Sequence, residues 1–264
     1  MTEPGRRPTG RALPAAPSPT GASLTGLVLA AGAGRRYGGP KALARTGDGT
    51  PWLHLAVAAL RAGGCARVVV TLGAAASDAL PLLPPGVEHV LVAGWNEGIA
   101  ASLRHGLLAA GRHGTDAVVV VTVDTPTMPA NAVRRIVSAA APRPTDALVQ
   151  AVYGGRPGHP VLIGRGHVPA IAATVTRNTG ARPYLVANEA LEVECADLWD
   201  GVDVDGPAPA TARPRRSWRR GRVVAMTSEQ LARARTEELE AARERTALDD
   251  VLDALEEPVQ PSRS

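Results

Sequence analysis

Four clusters of residues in this chain have the types and spacing to handle phosphate and metal. The first is Leu29-Ala30-Ala31-Gly32-Ala33-Gly34-Arg35-Arg36-Tyr37-Gly38-Gly39-Pro40-Lys41. Its glycines at 32, 34, 38 and 39 remove side chains where a ligand would approach, and glycine alone takes up positive φ at little cost. Backbone amides of such a loop can point at phosphate oxygens. Arg35, Arg36 and Lys41 surround the glycines with three positive charges, the make-up of a triphosphate clamp. Of the chain's 29 basic side chains Lys41 is the only lysine. Arginine is a wide planar fork and lysine a compact point charge on a flexible stem. A lysine kept in so arginine-rich a chain marks a position where the fork does not substitute.

The second cluster is Val118-Val119-Val120-Val121-Thr122-Val123-Asp124-Thr125-Pro126. Open α/β sheets bind ligands at the carboxyl ends of their strands. A hard carboxylate oxygen at that end suits Mg²⁺, which bridges to nucleotide phosphates; a helix cap or turn is the other reading of Asp124. Asp203-Val204-Asp205-Gly206-Pro207 offers a second carboxylate in Asp205, and by itself reads as a turn. In the third cluster, Trp95 to Gly106, Asn96, Gly98 and Ser102 could hydrogen-bond a base edge; Asn96 reads equally as a helix cap. The fourth joins Gly154-Gly155-Arg156-Pro157-Gly158-His159-Pro160 with Thr179-Gly180-Ala181-Arg182-Pro183. Read as loops, these segments carry His159 and Arg182, either of which could orient an anionic acceptor or serve structure alone.

The elements that must hold these clusters alternate in period. Continuous apolar runs predict strands over Leu24–Ala30, Arg67–Leu72, Val87–Val92, Ala117–Val123, Asp146–Tyr153 and Val161–Ile163. Helical stretches fall over Pro51–Ala62, Ile99–Ala110 and Pro129–Ala140. Buried strands alternating with helices predict an α/β fold, with a mostly parallel sheet covered on both faces. With no Phe and 3% aromatic residues, its core must be built from Val, Leu, Ile and Ala. Residues 1–23 are rich in Pro, Thr, Ser and Gly without an apolar period, and are expected to be a disordered tail. The four clusters all fall in a domain at 24–207. A Pro/Arg linker follows at 208–226. A charged helix and tail occupy 227–264, where Thr227 and Gln230 fit a capping box. That helix has an imperfect apolar stripe, suited to docking, self-association or a protein partner.

Several classes are disfavoured. Lys41 is followed by Ala42, not by the Ser or Thr of a P-loop, and no acid follows the strand that ends at Leu72, as a dinucleotide fold requires. No apolar run approaches the roughly 18 residues of a membrane span, and Pro and Arg interrupt the amino terminus before any signal-peptide core. A cytoplasmic protein is expected, with Cys65 and Cys195 as free thiols. The pI near 9.7 suggests nucleic acid, but residues 24–212 carry 15 basic and 14 acidic side chains, so no nucleic-acid partner is expected.

Taken in order, the four clusters resemble the MobA-like nucleotidyltransferase family and, within it, the molybdenum cofactor cytidylyltransferases. The resemblance rests on Leu29-Ala30-Ala31-Gly32-x-Gly34-x-Arg36-x-Gly38-x-x-Lys41, on Gly98 to Arg104, on Gly158 to Leu162 and on Thr179 to Arg182. It implies a GT-A-type nucleotidyltransferase fold, with a nucleotide site at Leu29, Ala30, Ala31, Gly32, Gly34, Asn96, Gly98 and Ser102. It also implies that Lys41, Arg35 and Arg36 handle the triphosphate of CTP or GTP, and that Asp124 with Asp205 holds Mg²⁺. The acceptor would be a small phosphate-bearing molecule of the molybdopterin type. Two departures bear on the base and the second ligand. Asp124-Thr125-Pro126 stands where cytidylyltransferases carry Asp-Gln-Pro, a form closer to guanylyltransferases. The later motif is shortened to Asp203-Val204-Asp205-Gly206-Pro207.

Overall fold

The computed structural model describes residues 18, 21–112 and 114–206. The expected linker, the charged helix and most of the amino-terminal tail lie outside the described residues. The elements run in the order β1 (Leu24–Ala30), α1 (Trp52–Ala62), β2 (Arg67–Leu72), α2 (Ala76–Ala79), β3 (Glu88–Leu91), α3 (Ile99–Gly111) and β4 (Ala117–Thr122). They continue with α4 (Ala130–Ala139), β5 (Leu148–Tyr153), β6 (Arg156–Gly164), α5 (Val168–Thr174), α6 (Arg182–Ala187) and β7 (Leu191–Glu194).

The seven strands form one sheet in the order β3-β2-β1-β4-β6-β5-β7. Every neighbouring pair is parallel except the two made by β6, which runs against β4 and β5. The sheet is therefore mostly parallel, as the apolar runs predict. Alternate residues of the five inner strands β2, β1, β4, β6 and β5 feed two cores. On one face Leu24, Val28 and Ala30 of β1 pack with Leu53, Val57 and Leu60 of α1 and with Val133, Ile136 and Val137 of α4. On the other, Leu27 and Leu29 pack with Leu103 and Leu107 of α3, Ile171 of α5 and Leu185 of α6. Burial on both faces explains why these strands read as unbroken apolar runs. Each Leu or Val so buried contributes roughly 1.5–3 kcal/mol relative to exposure.

The structure revises the chain's third quarter. The short strand expected at Val161–Ile163 extends back to Arg156, so most of the expected Gly/Pro loop is strand after a turn at Gly154-Gly155. Proline lacks the N–H a ladder needs, and both Pro157 and Pro160 precede the stretch that pairs with β4. The β4 ladder covers only Val161 to Gly164. On the β5 side a register shift falls between Gln150 and Val152, beside Pro160. Asp146, expected at the start of β5, belongs instead to a 3₁₀ turn at Pro144–Asp146. The strand β7 and the helices α5 and α6 carry no apolar run long enough to announce themselves.

This order places a functional crevice. From β1 the chain goes outward to β2 and β3, then crosses back to β4 on the other side of β1. In open α/β sheets ligands bind where the strand order reverses in this way, beyond the carboxyl ends of the strands. Here that point lies beyond Ala30 and Thr122.

Candidate active site

A cleft of about 410 Å³ opens at that point. Leu29, Ala30 and Ala31 from the end of β1 form its floor, with Thr122, Val123 and Asp124 from the end of β4. The loop after β1 supplies Gly32, Gly34, Arg35, Arg36, Tyr37 and Lys41. The start of α3 supplies Gly98, Ile99 and Ser102, beside Trp95; Asn178 and Asp205 close the rim. Most of the residues singled out from sequence are thereby brought together, although they span more than 160 positions.

Gly34 shapes the loop. Its φ is 57° and a Cβ there would run into the Gly39 carbonyl oxygen. The Gly38 and Gly39 amides both donate to the Gly34 carbonyl, at 3.0 and 3.1 Å. The chain thus turns back on itself and delivers Lys41 to the cleft. Gly98 is equally constrained: at φ 117° a Cβ there would run into the Arg177 carbonyl and the Asn178 side chain.

The charges converge on Lys41. Its Nζ lies 2.8 Å from Asp124 Oδ2 and 3.1 Å from Asp205 Oδ1, and its side chain is only 13% exposed. Arg36 stands 3.9 Å from the other Asp205 oxygen. Burial alone would lower the pKa of Lys41, but hydrogen bonds and charge from Asp124, then Asp205, raise it above its ordinary value. The ammonium is therefore charged throughout the physiological range. The Lys41 hydrogen bond and charge, and then the Arg36 charge, hold the Asp205 carboxyl below the usual carboxylate range. Asp205 is held in place because the Val204 amide donates to the Asp124 carbonyl at 2.9 Å.

That link also decides between the two late aspartates for the cleft. Asp205 lines it and contacts Lys41, whereas Asp203 is not among the lining residues. The Asp203 carboxyl loses hydration among its neighbours and feels the Asp124 charge, which together raise its pKa; His159 acts in the opposite sense.

Three expected residues stand outside the cleft. Asn96 is exposed on a 3₁₀ turn whose Trp95 packs on Ala31, Val92 and Ala101, so Trp95 faces the cleft in its place. His159 lies on β6, not in a loop, with Nδ1 3.3 Å from the Val120 carbonyl oxygen. Arg182 opens α6 and donates to the Gln150 side chain and to Glu192 at 3.0 Å. These two do not meet in the cleft; the buried Gln150 accepts from Arg182 and has Nε2 3.5 Å from the carbonyl oxygen of Gly158, the residue before His159. Gln150, Trp95, Asn178, Thr122 and Tyr37 were missed in the sequence. Thr125, where cytidylyltransferases carry Gln, is buried and donates to the Thr122 carbonyl at 2.9 Å, so it presents nothing to the cleft.

The chemistry of the donor set bears on a metal. Asp124 Oδ1 is buried and has no hydrogen-bond partner, as does Thr122 Oγ1 beside it. A buried carboxylate oxygen left unpaired is costly, and a cation would satisfy it. No group of three or more His, Cys, Asp and Glu side chains suited to a metal occurs among the described residues. Two carboxylates are nevertheless sufficient for Mg²⁺, which commonly takes one or two and completes its shell with water and substrate phosphates. The residues present therefore fit an ion that arrives with a nucleotide. No helix among the described residues is long and apolar enough to cross a membrane.

Comparison with known proteins agrees with this geometry. A family model described as the MobA-like NTP transferase domain matches residues 26–192. The nicotine blue oxidoreductase of Paenarthrobacter nicotinovorans is 35% identical over 194 residues, 69% of this chain and 92% of that protein. Rv0371c from Mycobacterium tuberculosis H37Rv is 28% identical and superposes with a TM-score of 0.59, covering 70% of this chain and 94% of that one. The same protein has been solved in complex with manganese, where the TM-score is 0.53 and the identity 25%, over 70% of this chain and 91% of that one. A nucleotidyl transferase from Methanothermobacter thermautotroptrophicus shares the fold, with a TM-score of 0.58 at 19% identity, covering 70% of this chain and 92% of that one.

Proposed function

This chain belongs to the MobA-like NTP transferase family and is a nucleotidyltransferase in class, and from that premise we propose that it transfers CMP from CTP to a small phosphate-bearing acceptor of the molybdopterin type, with Mg²⁺ at Asp124 and Asp205. One observation carries the reading. A lysine ammonium, two arginines and two aspartates converge on a glycine-lined cleft at the switch point of the sheet. CMP follows from the motif resemblance, and GMP is the alternative raised by Asp124-Thr125-Pro126.

In this reading Arg35, Arg36 and Lys41 hold the triphosphate, with Gly32 and Gly34 letting the backbone approach it. Trp95, Gly98 and Ser102 flank the nucleoside. The acceptor comes from the side of His159, where Arg182 and Gln150 stand behind it. An ionised acceptor oxygen forms a bond to the α-phosphorus. The bond to the bridging oxygen breaks, and the electron pair leaves with pyrophosphate. No protein nucleophile is needed, and catalysis is positioning with charge neutralisation. A divalent cation held by Asp124 and Asp205 would supply charge neutralisation on the phosphates.

The name of the 35% relative favours a second reading, oxidoreduction, in which the cleft takes a hydride-carrying dinucleotide. Pyrophosphate release from CTP, GTP, ATP or UTP with Mg²⁺ and a phosphate-bearing acceptor separates the two. Release with CTP, and a melting temperature raised by CTP but not by a nicotinamide dinucleotide, is expected. Stabilisation by the dinucleotide alone would favour oxidoreduction.

Gly34→Ala tests the loop directly. The left-handed φ costs an L-residue roughly 1–2 kcal/mol, and the Gly39 carbonyl blocks the new methyl group. CTP affinity, measured by calorimetric titration, should fall at least about tenfold while the fold survives. Unchanged affinity would remove the loop from the nucleotide site.

A further inference from the structure

Lys41 touches both carboxylates that the proposed function gives to the metal, and the following inference rests on that reading. One ammonium occupies Asp124 Oδ2 and Asp205 Oδ1, and Arg36 faces Asp205 Oδ2 at 3.9 Å. Three of the four carboxylate oxygens therefore already face a cation. The fourth, Asp124 Oδ1, is the buried one without a partner. A divalent ion drawing on both side chains would stand beside a unit positive charge in a partly buried place, and like charges so close disfavour one another. Lysine can relieve that conflict where a rigid group could not, because its charge rides on a flexible four-carbon stem. The Tyr37 ring, which also lines the cleft, has its centroid 5.9 Å from Nζ.

We propose that the Lys41 ammonium and the divalent cation are alternative occupants of the Asp124–Asp205 pair, and that the triphosphate exchanges them by drawing Lys41 onto its own oxygens. Lys41 is then a gate for the metal as well as a ligand for the nucleotide. Nucleotide and metal enter as a linked pair, each raising the other's affinity by the same factor. A lysine that served only as a strut between the two aspartates would have the opposite effect. Without it, the carboxylates would separate and metal binding would weaken.

The test is Mn²⁺ binding to the full-length protein without nucleotide, followed by electron paramagnetic resonance. Lys41→Met should bind Mn²⁺ at least tenfold more tightly than the parent, and Lys41→Gln should shift the same way with a polar group retained. Cooperative melting establishes that each variant is folded. Equal or weaker binding in both folded variants overturns the exchange. Adding Asp124→Asn to Lys41→Met should abolish the gain; if the gain persists, the ion binds elsewhere and the exchange and the metal assignment both fall. If CTP-dependent Mn²⁺ binding is lost in Asp124→Asn while Lys41→Met gains nothing, the metal assignment stands and the exchange alone is overturned.

Discussion

Asp124→Asn should leave a folded protein that has lost metal-dependent turnover by about three orders of magnitude. A metal clamp supplies several kcal/mol of charge stabilisation to phosphoryl chemistry, and about 1.4 kcal/mol corresponds to tenfold in rate. Asn conserves the shape of the strand end but carries no ligand charge. Stability will not be untouched, because the Asp124 pair with Lys41 is partly buried, at 21% and 13% exposure. Asp205 still holds Lys41 in the variant, which limits the cost to roughly 1 kcal/mol, or about 2–4 °C in melting temperature for a domain of this size. Turnover measured across a Mg²⁺ and Mn²⁺ titration checks the expectation. A variant with the parent's metal response would return Asp124 to the role of a turn residue.

Lys41→Arg should cost on the order of 10²-fold in turnover although the charge is kept. The lysine reaches its two carboxylates from a 3₁₀ turn at Lys41–Leu43 and is largely enclosed. A guanidinium there is wider and binds carboxylates in a bidentate fork. It would hold Asp124 and Asp205 more firmly than an ammonium does and would release them less readily to a triphosphate. Single-turnover rates with saturating CTP separate this from simple loss of affinity. A variant within about threefold of the parent would mean that the position requires a charge and nothing more.

How far the sequence reveals this molecule follows from what each residue needs around it. The strands β1, β2 and β4 are legible because burial on two faces demands an unbroken apolar run. Asp124 is legible with them, since a carboxylate ending such a run must lie at the ligand-binding end of the sheet. The strand β6 is illegible because Pro157 and Pro160 ordinarily exclude a ladder; both precede the residues paired with β4, the β5 register shift falls beside Pro160, and Pro157 still stands opposite Val152. The meeting of Lys41 with Asp205 depends on the Val204 amide finding the Asp124 carbonyl. That contact has no local signature, so a turn and an active-site carboxylate look alike in the sequence. Asn178 is hidden for a similar reason. It follows Arg177, whose positive φ of 49° falls on a residue type that gives no warning of it.

The reversed direction of β6 divides the molecule in another sense. Because it runs against its neighbours, β6 brings its beginning, not its end, to the carboxyl ends of the parallel strands. The turn at Gly154-Gly155 that launches it is exposed, as are Arg156 and Pro157 after it. Residues can be exchanged or inserted there without disturbing the loop from Ala31 to Lys41, which is anchored on β1 across the crevice. The start of β6, outside the cleft, and the cleft's own loop are thus separate units of variation at the two ends of this edge of the sheet. A lineage can refit one end for new chemistry while inheriting the other unchanged, so a common scaffold imposes no common reaction on its descendants.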